Sequence, residues 1–187
     1  MPITKSLVEK MGGTITFTSE QGVGTTFVIT IPFKINEDAA RDEEKQDEVT
    51  ASIKGLNILL VEDNELNMEI AEFVIQSKGA SVVKAWNGQE AVEAFEKSAS
   101  GEFDVILMDV MMPVMNGYEA TKTIRTMDRS DAKKIPIIAM TANAFVEDRI
   151  KSKEAGMNEH VSKPIDMKLL VKIIAELAEK RKCEDKV

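Results

Sequence analysis

The sequence predicts an α/β fold: a doubly wound parallel sheet of five strands with helices on both faces, preceded by a short helix and hairpin. Apolar, strand-like runs alternate five times with helix-like segments between residues 55 and 182. This alternation is typical of parallel sheets joined by right-handed crossovers. Runs such as "LNILLV" are apolar at all but one position, which indicates strands buried on both faces.

Charge and composition divide the chain into segments. Residues 36–54 carry seven acids and three bases and almost no large apolar side chain. Such a stretch cannot offset its ordering entropy by burial, so we interpret it as an acidic linker. It separates a front segment, residues 1–35, from a back segment, residues 55–182, and residues 183–187 form a polar tail.

The front segment is predicted to form one helix and a β-hairpin. The helix carries Ile3, Leu7, Val8 and Met11 on one face and ends at the glycine pair that follows. The alternating stretches "TITFTS" and "TTFVITI", joined by "EQGVG", predict two strands. A piece of this size rarely has a stable core of its own, so we expect it to be the end of a larger domain.

The back segment alternates five predicted strands with five predicted helices. The strands, where apolar and β-branched residues run together, cover residues 56–61, 80–85, 103–108, 135–140 and 159–162. The helices cover residues 64–78, 88–98, 117–127, 145–156 and 166–180. Gly79 and Gly156 are typical helix stops, and Asn116 is a typical helix cap.

Polar side chains stand where the predicted strands end. Glu62 and Asp63 follow the first strand, Asp109 the third, Thr141 the fourth and Lys163 the fifth. Taken singly, each residue could have a purely structural role, since Asp and Thr cap helices and Lys is common in solvated loops. Ligands of doubly wound sheets bind at the carboxyl ends of the strands, so we expect the whole set to converge there.

The chemistry of the set indicates phosphoryl transfer. Clustered carboxylates repel one another and favour a divalent cation, and Mg²⁺ prefers oxygen ligands. With the cation bound, Asp109 can attack a phosphoryl group and hold it as an aspartyl phosphate. Lys163 and the Thr141 hydroxyl can then bind the remaining phosphoryl oxygens.

At these residues the chain resembles the receiver domain of two-component response regulators. The matching stretches are "ILLVEDN", "DVILMDVMMPVMNGYEATKTIR", "IIAMTANA" and "AGMNEHVSKPID", over residues 55–180. The resemblance implies a flavodoxin-like (βα)5 fold with strand order 2-1-3-4-5. It makes Asp109 the phosphoacceptor and Thr141 and Lys163 the switch pair, and it implies a cis Lys163–Pro164 bond.

The resemblance also implies the metal ligands. These are the carboxylates of Glu62, Asp63 and Asp109 and the backbone carbonyl of Met111. His160 stands three residues before Lys163, where many receivers have an aromatic residue that reports activation. It is either a switch residue or a half-exposed strand residue.

The front segment resembles the C-terminal end of the ATP-binding domain of sensor histidine kinases. The resemblance rests on "ITKSLVEKMGGTITFTSEQGVGTTFVITIPF", and the order of segments is that of a hybrid sensor kinase. The chain lacks the kinase's phosphorylatable histidine segment and its asparagine and glycine boxes, so we do not expect it to bind ATP or autophosphorylate. The sequence leaves three alternatives for this segment: it packs on the receiver, it pairs with a second copy in a homodimer, or it is mobile.

One face of the first receiver helix is predicted to bind a partner. Asn67, Ala71, Val74, Ile75 and Lys78 fit a core-facing stripe at helical spacing. An adjacent stripe contains Leu66, Ile70 and Phe73. We expect Leu66 and Phe73 to be exposed and Ile70 to belong to a broad core face. The resemblance implies a histidine-phosphotransfer domain, or another phosphohistidine of the kinase, as the partner.

Other classes of protein are less consistent with the sequence. A phosphatase of the haloacid dehalogenase type needs an acid two residues after the nucleophile, where this chain has Met111. An unphosphorylated interaction module would not need the set Asp109, Thr141 and Lys163. A flavodoxin-like nucleotide binder would not line its phosphate site with acids.

Charge and composition also indicate the partners and the location. A net charge of −8 argues against nucleic acid, and no apolar run is long enough for a membrane span. The single cysteine, Cys183, favours a cytoplasmic location, including the cytoplasmic part of a membrane-bound sensor.

Overall fold

The computed structural model describes residues 2–33, 52–142 and 146–184. The chain divides into two compact units, residues 1–48 and 49–187. Most of the predicted linker, residues 36–51, lies outside the described residues.

The first unit contains helix α1 (Pro2–Lys10) and strands β1 (Thr14–Glu20) and β2 (Gly24–Thr30). The strands pair antiparallel and bring Phe17 opposite Phe27, with ring centroids 5.7 Å apart. The predicted helix and hairpin are thus present. In α1, Val8 is buried and Leu7 is more than half exposed, as is Met11 just after the helix.

The second unit is a parallel sheet of five strands. The strands are β3 (Asn57–Val61), β4 (Ser81–Ala85), β5 (Val105–Asp109), β6 (Ile137–Thr141) and β7 (Glu159–Ser162). Their order across the sheet is β4-β3-β5-β6-β7, with every neighbouring pair parallel. Counted within this unit, that order is 2-1-3-4-5, which confirms the predicted fold class.

Five helices follow the five strands: α2 (Glu65–Ser77), α3 (Gly88–Lys97), α4 (Gly117–Thr126), α5 (Val146–Ala155) and α6 (Met167–Glu184). The described bounds lie within a few residues of the predicted ones. Helix α6 runs past the predicted end at residue 180, so Cys183 belongs to the helix and is exposed. Among the described residues, no helix combines the length and apolar character needed to cross a bilayer.

Each face of the sheet has its own apolar cluster. On one face, Phe95 of α3 and Ile124 of α4 pack with strand residues such as Met108. On the other, Met68 and Ile75 of α2 and Leu170 and Ile174 of α6 pack with strand residues such as Leu107. The helices therefore cover both faces, as expected for a doubly wound sheet.

The core stripe of α2 differs from the prediction. The buried residues are Met68, Ala71 and Ile75, whereas Asn67 and Lys78 are exposed. Ala71 and Ile75 were predicted correctly, but the buried stripe is shifted toward Met68 and away from Asn67 and Lys78. Hydrophobic spacing alone did not fix the orientation because α2 carries apolar residues around much of its circumference.

The two clusters predict a contrast between two phenylalanines. Phe95→Ala should lower the free energy of unfolding by about 3–5 kcal/mol, because it leaves a cavity in the core. Phe95 is 0% exposed, whereas Phe73 of α2 is 74% exposed. Phe73→Ala should therefore change the free energy of unfolding by less than about 0.5 kcal/mol. Urea unfolding monitored by circular dichroism measures both. Equal losses would contradict this assignment of the core.

Candidate functional site

Three carboxylates meet at the carboxyl edge of the sheet. Glu62 and Asp63 follow β3, and Asp109 is the last residue of the neighbouring strand β5. One carboxylate oxygen of each lies within 4.8 Å of the others. Glu62 and Asp109 are buried and Asp63 is exposed, so the cluster opens to solvent on one side.

Lys163 reaches this cluster from the end of β7. Its Nζ donates to Oε2 of Glu62 at 2.5 Å and to Oδ2 of Asp109 at 2.6 Å. The backbone N–H of Lys163 donates to the Thr141 carbonyl at 2.7 Å, and the Lys163–Pro164 peptide bond is cis. The ammonium therefore lies between two of the three acids, at the sheet edge where the sequence analysis expected these side chains to converge.

Burial and the ion pairs act in opposite directions on the two central groups. Burial raises the pKa of the Asp109 carboxyl above its usual value, although hydrogen bonds from Lys163 and the Met111 N–H lower it again. Burial also opposes the charge on Lys163, but hydrogen bonds to Asp109 and Glu62 prevail and raise the pKa of Lys163. The direct contact between the two groups favours the charged pair.

Hydrogen bonds hold the backbone of the loop after Asp109. The Val110 N–H donates to the Met140 carbonyl, and the Gly117 N–H donates to the Val110 carbonyl. The Met111 N–H donates to Oδ1 of Asp109 at 3.1 Å. A Cβ on Gly117 would lie 2.2 Å from the Asp109 carbonyl oxygen. The chain therefore needs glycine there to let α4 begin directly against the strand end.

Thr141 lies beside this cluster, whereas His160 has other partners. Thr141 ends β6, the neighbour of β5, and is 5% exposed. His160 lies in β7, with a side chain 21% exposed, and its Nδ1 is 3.1 Å from Oε1 of Glu159. The structure thus brings Thr141 to the edge that carries the acids, while the imidazole of His160 contacts the Glu159 carboxylate.

Asn67 is a contact of the site that the sequence analysis missed. Its side-chain Nδ2 donates to Oε1 of Glu62 at 2.9 Å, although the sequence analysis assigned it to the core stripe. The signal available in the sequence was the pair Asn64 and Asn67 at the start of α2, since Asn at a helix start favours local hydrogen bonding over burial.

The predicted partner stripe on α2 is exposed along its length. Leu66 is 64%, Ile70 50% and Phe73 74% exposed. The assignment of Ile70 to the core was therefore wrong, because the buried stripe is centred on Met68, Ala71 and Ile75. Met111, at the edge of the acid cluster, is 73% exposed.

Comparison with known proteins identifies the domain. The family described as "Response regulator receiver domain" matches residues 58–175. The chain belongs to this receiver family. It contains a receiver domain of the kind found in hybrid sensor kinases of two-component signalling.

Curated relatives are much longer than this chain. Aerobic respiration control sensor protein ArcB of Escherichia coli K12 is 35% identical over 93% of the chain, which spans 22% of ArcB. Sensor protein EvgS of the same strain is 33% identical over 94% of the chain, which spans 14% of EvgS.

Solved receiver structures share the fold. The receiver domain of sensor histidine kinase PA1611 from Pseudomonas aeruginosa PAO1 is 38% identical, with a TM-score of 0.61, over 67% of this chain and 98% of that one. That crystal structure has a magnesium ion coordinated in the active site cleft. Vibrio cholerae chemotaxis protein CheY4 is 30% identical, with a TM-score of 0.60, over 66% of this chain and 98% of that one.

The contacts of Lys163 predict a loss of stability in Lys163→Met. Without the ammonium, no lysine charge offsets the repulsion between the buried carboxylates of Glu62 and Asp109. The free energy of unfolding without divalent cations should fall by about 2–3 kcal/mol. Urea unfolding at neutral pH measures the loss, and adding Asp109→Asn should recover part of it.

The matched control is Lys97→Met, because Lys97 pairs with Glu93 on the surface and its side chain is 75% exposed. This variant should unfold close to wild type. A Lys163→Met protein as stable as the control would contradict the inference that the ammonium offsets carboxylate repulsion.

Proposed function

We propose that this receiver domain is a magnesium-dependent phosphoacceptor in a phosphorelay and that Asp109 accepts the phosphoryl group from a phosphohistidine donor. The observation that carries the proposal is the position of Asp109 at the end of a buried strand. It lies within 4.8 Å of two other acids and 2.6 Å from the ammonium of Lys163. The proposed roles use every member of this set.

In the proposed reaction, Asp109 is the nucleophile. A carboxylate oxygen attacks phosphorus, an oxygen–phosphorus bond forms, and the nitrogen–phosphorus bond of phosphohistidine breaks as the imidazole leaves. Lys163 offsets the charge of a phosphoryl oxygen, and the Thr141 hydroxyl donates to another. Met111 occupies the position where a phosphatase would need an acid, which supports a slowly hydrolysed phosphoacceptor over a hydrolase.

The residues around Asp109 fit a magnesium ion. Hard carboxylate oxygens are the ligands that Mg²⁺ prefers, and Glu62, Asp63 and Asp109 offer three of them, with the Met111 carbonyl as a further ligand. Bound there, Mg²⁺ would supply positive charge against the repulsion between the acids and the phosphoryl oxygens. The magnesium-bound receiver of PA1611 supports this choice of metal.

We further propose that phosphorylation is read out through Thr141 and Lys163, with His160 as a third switch residue on β7. When Thr141 turns toward the phosphoryl group, the segment after β6 repacks and shifts a pre-existing equilibrium. The weak attachment of α5 supports this. Among its described side chains only Ser152 and Ala155 are buried, while Ile150 is 52% exposed.

The first unit, we propose, is the C-terminal end of a kinase ATP-binding domain, joined to the receiver by an acidic linker. Two findings support this. The similarity to ArcB spans 93% of the chain and so extends into the first unit. Large apolar side chains of the hairpin, such as Phe17 and Val28, are more than half exposed, as expected for part of a larger core. We expect the parent protein to be a hybrid kinase that works in the cytoplasm.

The phosphoacceptor role predicts a magnesium-dependent adduct. Incubation with acetyl phosphate and MgCl₂ should add a single phosphoryl group, measured by intact mass. The expected acceptor is Asp109 because, among the described residues, it is the buried acid that both ends a strand and contacts Lys163. Asp109→Asn, or removal of Mg²⁺ with a chelator, should abolish the adduct.

ATP in place of acetyl phosphate should give no adduct in any variant, since no complete kinase core is present in the sequence. An adduct that persists in Asp109→Asn would contradict the assignment of the phosphoacceptor. A wild type that never forms one would favour the interaction-module alternative.

The exposed stripe on α2 predicts a partner-specific defect. Leu66→Asp should slow phosphotransfer from a phosphorylated histidine-phosphotransfer domain by at least about tenfold. The reason is that a charged side chain would replace an apolar one on the face of α2 that docks in the partner's groove. Rapid-quench measurement of the transfer rate tests this.

The reaction of Leu66→Asp with acetyl phosphate is the internal control, and it should match wild type because Leu66 is 64% exposed and outside the acid cluster. Equal transfer rates from the protein donor in wild type and variant would contradict the partner surface. A defect with both donors would indicate a damaged acid site.

A further inference from the structure

We propose that Asn67 is a positioning residue for the metal-site acid Glu62. The inference rests on the proposed function and deepens it. It adds Asn67, as a residue on which magnesium binding depends, to the set Glu62, Asp63, Asp109, Thr141 and Lys163. Asn67 holds one oxygen of Glu62 so that the other stays directed at the cluster.

The two oxygens of Glu62 have different partners. Oε1 accepts from Nδ2 of Asn67 at 2.9 Å, and Oε2 accepts from Nζ of Lys163 at 2.5 Å. Glu62 is 2% exposed. A buried carboxylate with few donors is held in orientation by the donors it has.

The start of α2 fixes Asn67 in place. Oδ1 of Asn64, the residue that caps α2, accepts from the backbone N–H of Asn67 at 3.1 Å. Asn67 is therefore the third residue of the helix, and side chains there lean back toward the helix start. The two asparagines, three residues apart, tie the first turn of α2 to the acid that follows β3.

The Asn67 bond becomes more important once a phosphoryl group arrives. Lys163 is shared between Glu62 and Asp109 in this structure, and under the proposed function its ammonium turns to a phosphoryl oxygen. Glu62 then keeps Asn67 as its side-chain donor among the contacts described. An amide serves this role better than a second cation would, because it orients the carboxylate without cancelling the charge that attracts a metal.

Loss of this bond should weaken magnesium binding without removing a ligand. A residue that orients a metal ligand typically contributes 10- to 100-fold to metal affinity. Because Asn67 is exposed and water can replace part of its role, we expect Asn67→Ala to weaken binding of Mg²⁺ by about tenfold, at the lower end of that range.

The experiment is a titration of the full chain with MgCl₂, followed by backbone amide chemical shifts in two-dimensional NMR. It compares wild type, Asn67→Ala, Asn67→Leu and Gln76→Ala. Gln76 also carries a side-chain amide on α2, but its amide donates to Glu72 at the far end of the helix. Both Asn67 variants should bind about tenfold more weakly, and Gln76→Ala should match wild type.

A second readout separates positioning from a general structural effect. With acetyl phosphate, the Asn67 variants should react slowly at limiting MgCl₂ and approach the wild-type rate at saturating MgCl₂. Wild-type affinity in both Asn67 variants, or a rate defect that saturating MgCl₂ does not relieve, would overturn the positioning role. A wild type without any magnesium-dependent shift would instead contradict the proposed function itself.

Discussion

Carboxylates that are buried close together repel one another, and the geometry of the receiver unit is organised around a cluster of this kind. Glu62, Asp63 and Asp109 present oxygens within 4.8 Å of one another, and two of the three residues are buried. In surroundings with little water this repulsion is costly unless positive charge is present. Lys163 supplies that charge by direct contact with both buried acids. The same repulsion makes the site receptive to a divalent cation.

The parallel sheet is what brings these groups together. Lys163 and Glu62 are 101 residues apart in the sequence, and Lys163 and Asp109 are 54 residues apart. Parallel strands joined by helical crossovers all end at one edge, so a single polar residue after each strand is enough to build a site. The close approach of Gly117 to the Asp109 carbonyl completes the arrangement, because α4 can begin without pushing the carboxylate away from the edge.

The helices around the sheet differ in how firmly they are attached. Helices α2, α3 and α6 contribute large side chains to the two apolar clusters, while the buried described side chains of α5 are small. Elements with few buried apolar contacts open and repack at low cost in free energy. Helix α2 combines a buried stripe that anchors the fold with an exposed stripe of Leu66, Ile70 and Phe73.

The sequence by itself determined the fold class and the members of the acid site. Apolar strands alternating with helical segments favour a parallel sheet covered by helices. The rule that strand ends share an edge was enough to predict that Glu62, Asp63, Asp109, Thr141 and Lys163 meet there. Only the tertiary structure decided how α2 is rotated, and hence that Met68 is buried while Ile70 and Asn67 are exposed. Periodicity could not fix this, because a helix with apolar residues around much of its surface has several plausible core faces. The bond from Asn67 to Glu62 depends on that rotation, since a side-chain amide finds a carboxylate only when helix and strand end are brought into contact.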